Sequence, residues 1–199
     1  MRQLQPIPGT GPTPRPAARI VVVDPEGAVF LFRYETDEVG QHWANPGGGL
    51  DPGETPREAA RRELREETGW TDVEPGPLLC TWQHDYTRDG IPVRQHEHAF
   101  AARGPRREPV GDLLAAHAAD RILGWRWWPR EELRTMAEAL RPPQLPALLD
   151  RLDPGDGGGD GGRAFRPVAT VDLGFVPEVP TPAARRALLR PAPHAPRRP

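Results

Sequence analysis

Apolar and polar positions alternate along this chain in short runs, which lie on either side of one helical segment. Runs rich in Val, Ile, Leu and aromatic residues are separated by short turns containing Asp and Gly, which predicts two hairpins. The predicted strands are residues 19–24, 28–34, 78–86 and 91–102, with turns at 24–27 and 87–90 and a polar loop at 35–42. A further strand at 125–128 is followed by a helix that runs to about residue 140. This order of elements predicts an α/β fold with a sheet between helices.

The helical segment carries a full set of local start and stop signals. Thr55 suits the N-cap, Pro56 suits the first helical position, and Glu58 stands three residues after Thr55, which makes a capping box. Gly69 stands where a left-handed cap would end the helix. The side chains between these ends sort into three groups, one apolar, one basic and one acidic: Ala60 and Leu64; Arg57, Arg61 and Arg65; Glu63, Glu66 and Glu67.

The acidic group suits a divalent cation. Its three carboxylates are adjacent or one turn apart, so they are expected to project as one cluster. They lie in the last turns of the helix, where the dipole disfavours each by roughly 0.3–1 kcal/mol. A hard cation would reverse that cost, and the oxygen ligands predict Mg²⁺ or Mn²⁺ rather than zinc. The alternative is a solvated helix with ion pairs such as Glu58 with Arg62.

The acidic group belongs to a longer pattern. Residues 48–70 read GGLDPGETPREAARRELREETGW and fit G(x5)E(x7)REUxEExGU at every fixed position. Those positions are Gly48, Glu54, Arg62, Glu63, Glu66, Glu67 and Gly69, with Trp70 as the closing apolar residue. The stretch resembles the Nudix box, the signature of hydrolases that cleave nucleoside diphosphates linked to another group. This resemblance implies a Nudix-type α/β/α sandwich with a mixed β-sheet.

The resemblance also implies a role for each box residue. The expected metal ligands are three carboxylates and a glycine carbonyl: Glu63, Glu66, Glu67 and Gly48. The catalytic set is expected to include Glu66, Glu67 and Arg62, with Arg62 orienting Glu63, while Glu54 supports the ligands from outside. The glycine run at 45–49 lets the backbone approach metal and phosphate without hindrance.

A second place for chemistry is the segment RQHEHAF at 94–100. Nudix enzymes commonly add a carboxylate downstream of the box, as a further ligand or as the base, and Glu97 is predicted to be that residue. On a strand, His96 and His98 face one side and Glu97 the other. If the histidines face the metal instead, Glu97 is a surface residue. A two-histidine zinc site is another interpretation, but further ligands at a recognisable spacing are lacking.

Three residues are candidates for substrate contact. Arg33, at the end of a predicted strand, could reach a phosphate, the alternative being an exposed strand-end arginine. Trp43 and Tyr86 could stack on a base, since every base has a π-face. Core packing is the alternative for Trp43, and both interpretations stay open for Tyr86. Trp125 and Trp127 alternate along one strand and are expected in the core.

Composition determines the expected organisation of the chain. The 199 residues include 27 prolines and 21 glycines, which are concentrated towards the ends. We therefore expect a disordered Pro-rich extension at 1–16, one Nudix hydrolase domain at 17–152, and a Gly/Pro/Arg-rich low-complexity tail at 153–199. Within that tail, residues 168–176 could add a short strand.

Charge, cysteine content and hydropathy exclude several classes of protein. A net charge of −2 gives no basic footprint for nucleic acid. The single cysteine, Cys80, lies in an apolar run, which predicts a buried residue and excludes a disulfide within the chain. Without an apolar leader or a run of eighteen apolar residues, the sequence predicts a soluble, cytoplasmic protein that does not enter a membrane.

The predicted function is Mg²⁺-dependent hydrolysis of a diphosphate linkage in a nucleoside diphosphate derivative or a nucleoside triphosphate. Glu97 or Glu66 is expected to take the proton from water. One alternative is a nucleotide sensor with the Nudix fold and no turnover. An isomerase of isoprenoid diphosphates shares the fold, but it needs a catalytic cysteine, for which Cys80 is a poor candidate. Dimers are frequent in the family, so a homodimer is one expectation, and the box does not predict which small nucleotide is the substrate.

Overall fold

The structure is a computed structural model that describes residues 11–36, 39–88, 90–152 and 165–177. Within them the chain forms nine strands and four helices. In chain order these are β1 (Thr13–Val23), β2 (Val29–Thr36), β3 (Gly40–Ala44), β4 (Gly47–Gly49), α1 (Pro56–Thr68), β5 (Leu78–Arg88), β6 (Ile91–Arg103), α2 (Leu114–Ala119), β7 (Ile122–Trp128), α3 (Arg130–Thr135), β8 (Ala139–Arg141), α4 (Leu145–Leu149) and β9 (Val171–Phe175).

The strands form one mixed sheet between two helical layers. Its order is β8-β3-β2-β1-β6-β5-β9, with β4 added on β1 and β7 on β2. Helix α1 buries Ala60 and Leu64 in a core on one face, while Leu133 of α3 and Leu148 of α4 belong to the core on the other face. The α/β/α sandwich with a mixed sheet is therefore confirmed.

Strand β1 is shared by both cores because its apolar run has no polar face. Ile20 contributes to the core under α1, and Val21 contributes to the core on the opposite face. The strand pairs with β6 in parallel along its whole length, but it meets β2 only where Val23 lies opposite Val29. Strand β4 pairs with β1 at residues 17–19, beyond the point where β2 has separated from it. The candidate site lies at this separation.

Helix α1 begins and ends where its local signals predict. The Thr55 hydroxyl accepts a bond from the Glu58 N–H, and the Thr55 N–H donates to the Glu58 carboxylate at 2.9 Å, so the capping box is present. Gly69 has φ 73° and donates its N–H to the Arg65 carbonyl at 2.8 Å. A Cβ at Gly69 would collide with the Val110 carbonyl oxygen. Both the left-handed backbone and this close approach require glycine.

Three predicted boundaries were wrong. Strand β1 begins at Thr13, so residues 13–16 are strand and not part of a disordered extension; residues 1–10 lie outside the described part. The loop expected at 35–42 is shorter, because β2 continues to Thr36 and β3 begins at Gly40. The helix expected to reach residue 140 ends at Thr135, and β8 follows. At β1 and β8 the missing information is a pairing with a distant strand, β6 and β3 respectively, which local pattern does not show, whereas the loop at 35–42 is shortened by direct pairing of the neighbouring strands β2 and β3.

Part of the segment predicted as a low-complexity tail is folded. Strand β9 lies within the region expected to add a short strand, and it pairs in parallel with β5. Phe165 and Val176, which flank it, are buried in the core. The remainder of the predicted tail, 153–164 and 178–199, lies outside the described residues.

Three smaller predictions can also be compared with the structure. Cys80 is buried as expected, and Trp125 and Trp127 both pack against Phe30, with ring centroids 5.9 and 5.3 Å away. In the part of the chain that is described, no helix has the length and apolar character needed to cross a membrane.

We predict that Gly69→Ala destabilises the fold more than Gly53→Ala. Both glycines have positive φ, so both substitutions introduce backbone strain of about 1 kcal/mol. Only at Gly69 does the new methyl group also collide with a neighbouring carbonyl, whereas the space around Gly53 is open. Urea denaturation should give a loss of unfolding free energy at least about 1 kcal/mol larger for Gly69→Ala. Equal losses would show that the contact with Val110 does not constrain the end of the helix.

Candidate active site

The site is organised around the three glycines of β4. A Cβ at Gly47 would overlap the Ala18 carbonyl oxygen, and a Cβ at Gly48 would lie 2.5 Å from Glu63 Oε1. A Cβ at Gly49 would overlap the guanidinium of Arg15. Because none of the three carries a side chain, the strand lies directly against β1 on one side and the carboxylates of α1 on the other.

Arg62 binds several acceptors at once. Its Nε and Nη2 donate to the Glu54 carboxylate at 2.9 and 2.8 Å, a bidentate pair, and Nη2 also donates to the Gly49 carbonyl at 2.9 Å. Its Nη1 donates to Glu63 at 2.9 Å and to Glu66 at 3.1 Å. Arg62 therefore joins Glu54, Glu63 and Glu66 in one hydrogen-bonded group, while its role in orienting Glu63 for a metal stays a prediction.

Glu67 is the most enclosed carboxylate of the box, with 1% of its surface exposed. It accepts the Gly47 N–H at 2.8 Å and the Tyr34 hydroxyl at 3.4 Å. Burial raises the pKa of Glu67 well above its usual range, and Arg19 acts in the opposite direction. Burial also raises the pKa of Glu63, less strongly, against the opposing hydrogen bond from Arg62.

The three box carboxylates do not converge as the sequence predicted. Glu63 and Glu66 both bind Arg62, whereas Glu67 binds the backbone of β4. Among the described residues, no three His, Cys, Asp or Glu side chains are arranged as a metal-binding group. The described residues therefore do not form the single carboxylate cluster that was expected: Arg62 orients Glu63 and Glu66, and the Gly47 N–H orients Glu67.

Glu97 lies inside the fold, with 1% of its surface exposed, so the surface alternative for this residue is wrong. Its carboxylate accepts hydrogen bonds from Gln95 Nε2 at 2.6 Å and from Arg19 Nε at 3.2 Å, and His84 Nε2 lies 3.5 Å away. Burial by itself would raise the pKa of Glu97. The charge of Arg19 and the bonds from His84 and Gln95 outweigh burial and lower the pKa to about 2.

The histidines of the same strand face away from this carboxylate, as strand alternation predicts. His96 and His98 are half-buried, and His98 Nδ1 lies 3.3 Å from the Ala17 carbonyl oxygen. No third ligand completes a zinc site with them within the described residues.

Arg19 is the cation that connects Glu97 to the glycine loop. Its Nη1 donates to the Asn45 carbonyl at 3.1 Å, and its guanidinium carbon lies 5.9 Å from the centre of the Tyr34 ring. Its charge also lowers the pKa of Glu63 and Glu67 against the effect of burial. Arg19 is not among the residues predicted from the sequence, although a charged residue within a buried apolar run signals a paired group.

Two of the three predicted substrate contacts have other partners. Arg33 binds Glu138 through Nε at 2.9 Å and Gln41 through Nη2 at 2.7 Å. Trp43 is 8% exposed, packs against Trp128 in the core, and donates its ring N–H to Glu138. Base stacking by Trp43 is therefore corrected to core packing, and Arg33 is part of an exposed ion pair.

Tyr86 retains the features of a contact residue. It is half-buried and ends a ladder on β5 in which Trp82, His84 and Tyr86 stack at 4.6 and 5.7 Å between ring centroids. The ladder lies beside Glu97, because Trp82 is the residue opposite Glu97 in β5. Its role in binding a base stays a prediction.

The family of the chain follows from its fold, its box and comparison with known proteins. The family model described as NUDIX domain matches residues 13–150. The RNA pyrophosphohydrolase of Erythrobacter litoralis (strain HTCC2594) is 32% identical over 131 residues, covering 60% of this chain and 78% of the relative. That of Bradyrhizobium sp. (strain ORS 278) is 31% identical over 144 residues, covering 65% and 86%.

Solved structures agree on the fold. The MutT protein from Methanosarcina mazei Go1 has a TM-score of 0.53 at 18% identity and covers 72% of this chain and 95% of its own. The MutT NUDIX hydrolase from Burkholderia pseudomallei has a TM-score of 0.51 at 22% identity, covering 71% and 99%. The chain belongs to the NUDIX family and is a Nudix hydrolase.

We predict that Glu97→Gln lowers stability at neutral pH but not in acid. The pKa of Glu97 is about 2 in the fold and about 4.3 in an unfolded chain, so the ionised carboxylate stabilises the fold above about pH 4.3. That contribution is lost as the pH falls through 2. Urea denaturation should show a wild-type advantage of about 1–3 kcal/mol at pH 7 that shrinks towards pH 3. An advantage independent of pH would mean that Glu97 is not a buried anion.

Proposed function

We propose that this protein is a divalent-metal-dependent pyrophosphohydrolase that cleaves a diphosphate linkage in a nucleotide or in the phosphorylated end of RNA. The observation that supports this most directly is the position of the Glu63 carboxylate against the backbone of Gly48, where Glu66 shares Arg62 with Glu63 and Glu67 accepts the N–H of the adjacent Gly47. Carboxylates next to an unhindered strand backbone give a set of oxygen donors that a hard cation and a phosphate can share.

The donor set fits Mg²⁺ or Mn²⁺. Glu63, Glu66 and Glu67 supply carboxylate oxygens from one end of α1, and the absence of a side chain at Gly48 lets the Glu63 carboxylate lie directly against the strand backbone. When bound, the cation neutralises phosphate charge and lowers the pKa of a coordinated water. The buried Glu67 favours this assignment, because a nearby cation would stabilise an ionised form that burial disfavours.

For the proton acceptor we propose Glu66 rather than Glu97. Glu66 has 49% of its side chain exposed and one arginine contact, so water can reach it. Glu97 already has three donors around its two oxygens and is closed to solvent. A carboxylate with a pKa near 2 is also a weak base, because proton transfer is most effective when the pKa lies near the working pH.

The names of the relatives widen the range of substrates. The sequence pattern predicts a small nucleotide substrate and no nucleic acid, whereas the relatives are called RNA pyrophosphohydrolases. The only diphosphate linkages in ordinary RNA are at a phosphorylated terminus, and such an end has the same reacting group as a nucleoside triphosphate. Both therefore belong among the candidates.

Burial of Cys80 argues against an isomerase that needs a reactive thiol. Burial raises the pKa of Cys80 to about 12, with a smaller contribution from Glu97, so the thiolate is scarce at neutral pH.

We predict that wild-type protein with Mg²⁺ cleaves at least one compound in a defined panel and that Glu67→Gln nearly abolishes this cleavage. The panel contains (d)NTPs, ADP-ribose, nucleotide sugars, dinucleoside polyphosphates and a 5′-triphosphate RNA oligonucleotide, with products identified by mass spectrometry. Loss of one ligand carboxylate should lower turnover by about 10²-fold or more, since Glu67→Gln keeps the shape of the side chain but replaces the charged carboxylate with a neutral amide. The control for substitution itself is Arg126→Gln at an exposed position, which removes an ion pair with Glu132 and a cation–π contact with Trp128.

The possible outcomes distinguish a hydrolase from a nucleotide sensor without turnover. Nucleotide binding that raises the melting temperature, without cleavage by wild type in Mg²⁺ or Mn²⁺, would contradict the hydrolase and support the sensor. Cleavage that Glu67→Gln retains would contradict the assignment of the site.

A further inference from the structure

Among the arginines near the box, Arg19 differs from Arg62 in its remaining hydrogen-bonding capacity. All three nitrogens of Arg62 donate to carboxylates or to a carbonyl. Arg19 uses Nε for Glu97 and Nη1 for Asn45, while Nη2 makes no hydrogen bond to any described residue. The side chain keeps 19% of its surface exposed. A guanidinium fixed on two sides with donors left over is suited to bind an anion.

The location of Arg19 is the second observation. It belongs to β1 at the residue opposite Gly47 in β4, so its guanidinium lies at the glycine loop. Its charge acts on Glu63 and Glu67, the box carboxylates assigned to the metal, and on Glu97 from another strand. An anion bound by Arg19 would therefore lie beside the box.

The third observation concerns what holds Arg19 in place. Glu97 receives a hydrogen bond from Gln95, and Gln95 in turn accepts one from Arg15 on β1. Gln95 is itself buried, so this row of side chains has little freedom to move. A planar guanidinium bonded to a fixed carboxylate loses less entropy when it binds a ligand.

We propose that Arg19 contacts a phosphate of the substrate, and that Glu97 and Gln95 are positioning residues that hold its guanidinium at the glycine loop. The inference rests on the proposed function, because it assigns a contact within the same site. It gives Glu97 a role different from that of the base: the carboxylate acts through Arg19 and not on water.

The test measures binding of inorganic pyrophosphate to the full-length protein in the presence of Mg²⁺ by calorimetry. It also measures kcat and KM for any compound of the panel that is cleaved. Arg19→Met should weaken pyrophosphate binding about ten- to hundredfold, the usual effect of a charge-assisted hydrogen bond, and Arg19→Lys should weaken it less. Arg94→Met is the matched control, because Arg94 is also a strand arginine paired with a carboxylate, Asp85, and it should bind like wild type.

A double-mutant cycle separates positioning from direct catalysis. Glu97→Gln should weaken pyrophosphate binding in the wild-type background and add no further loss to Arg19→Met. If Glu97 is the proton acceptor, Glu97→Gln should instead lower kcat in both backgrounds and leave binding unchanged, and that result would overturn the proposal. Gln95→Leu should act in the same direction as Glu97→Gln.

Stability of the variants is controlled within the same set. Arg19→Met leaves the buried Glu97 without its cation, so the companion variant Arg19→Met/Glu97→Met removes both charges. That double variant should unfold in one cooperative transition, and its pyrophosphate binding should remain as weak as that of Arg19→Met.

Each failure is distinguishable from the others. Wild type that cleaves a panel compound while Arg19→Met binds and cleaves normally contradicts this inference alone. Wild type that cleaves nothing, with pyrophosphate binding that depends on Arg19, contradicts the hydrolase and supports the anion contact. No pyrophosphate binding by wild type overturns the inference.

Discussion

The close approach of a side-chain-free strand to a helix and to a second strand is the constraint on which the site depends. Gly47 lies against the Ala18 carbonyl and Gly48 against the carboxylate of Glu63, at distances that exclude a Cβ. Because β4 is this close to α1, the Gly47 N–H can bind Glu67 in the interior. A side chain at either glycine would push the strand away from its neighbours, and the orientation of the carboxylates would change with it.

Two arginines bind four of the acidic residues of the site, and the fifth, Glu67, accepts from Gly47 and Tyr34 instead. Arg62 binds Glu54, Glu63 and Glu66 within one turn and loop of the box, while Arg19 binds Glu97 across two strands. An isolated buried charge is costly, so these pairs explain how so many carboxylates are tolerated near one another. The division also has a chemical consequence, since Glu66, the carboxylate with the most exposure among those named here, is the one that water reaches most easily.

The sequence predicts those parts of the structure that depend on local signals. The limits of α1 follow from Thr55 and Gly69, whose side-chain or backbone chemistry decides the cap without reference to the rest of the chain. The start of β1 at Thr13 depends on pairing with β6, about eighty residues later, and a proline-rich segment contains no sign of that partner. The sequence also left two interpretations of Trp43, base stacking and core packing, because only its contact with the distant Trp128 distinguishes them. Arg19 was detectable in principle as a charge in an apolar run, but its partner Glu97 was not.

Local and distant contacts differ in how a change in strand register would disturb the residues of the site. Arg62 binds Glu54, Glu63 and Glu66 within a span of thirteen residues, from Glu54 to Glu66, and Glu67 binds the N–H of Gly47, so this arrangement needs little more than the helix and the adjacent glycines. Arg19, Glu97, His84 and Tyr86 come from three strands and are brought together by sheet register alone. A one-residue shift in that register would turn each of these side chains to the other face of the sheet while leaving the box intact. The box carboxylates and this group of strand residues therefore depend on separable parts of the structure, the first on one helix with its adjacent loop and the second on the register of three strands.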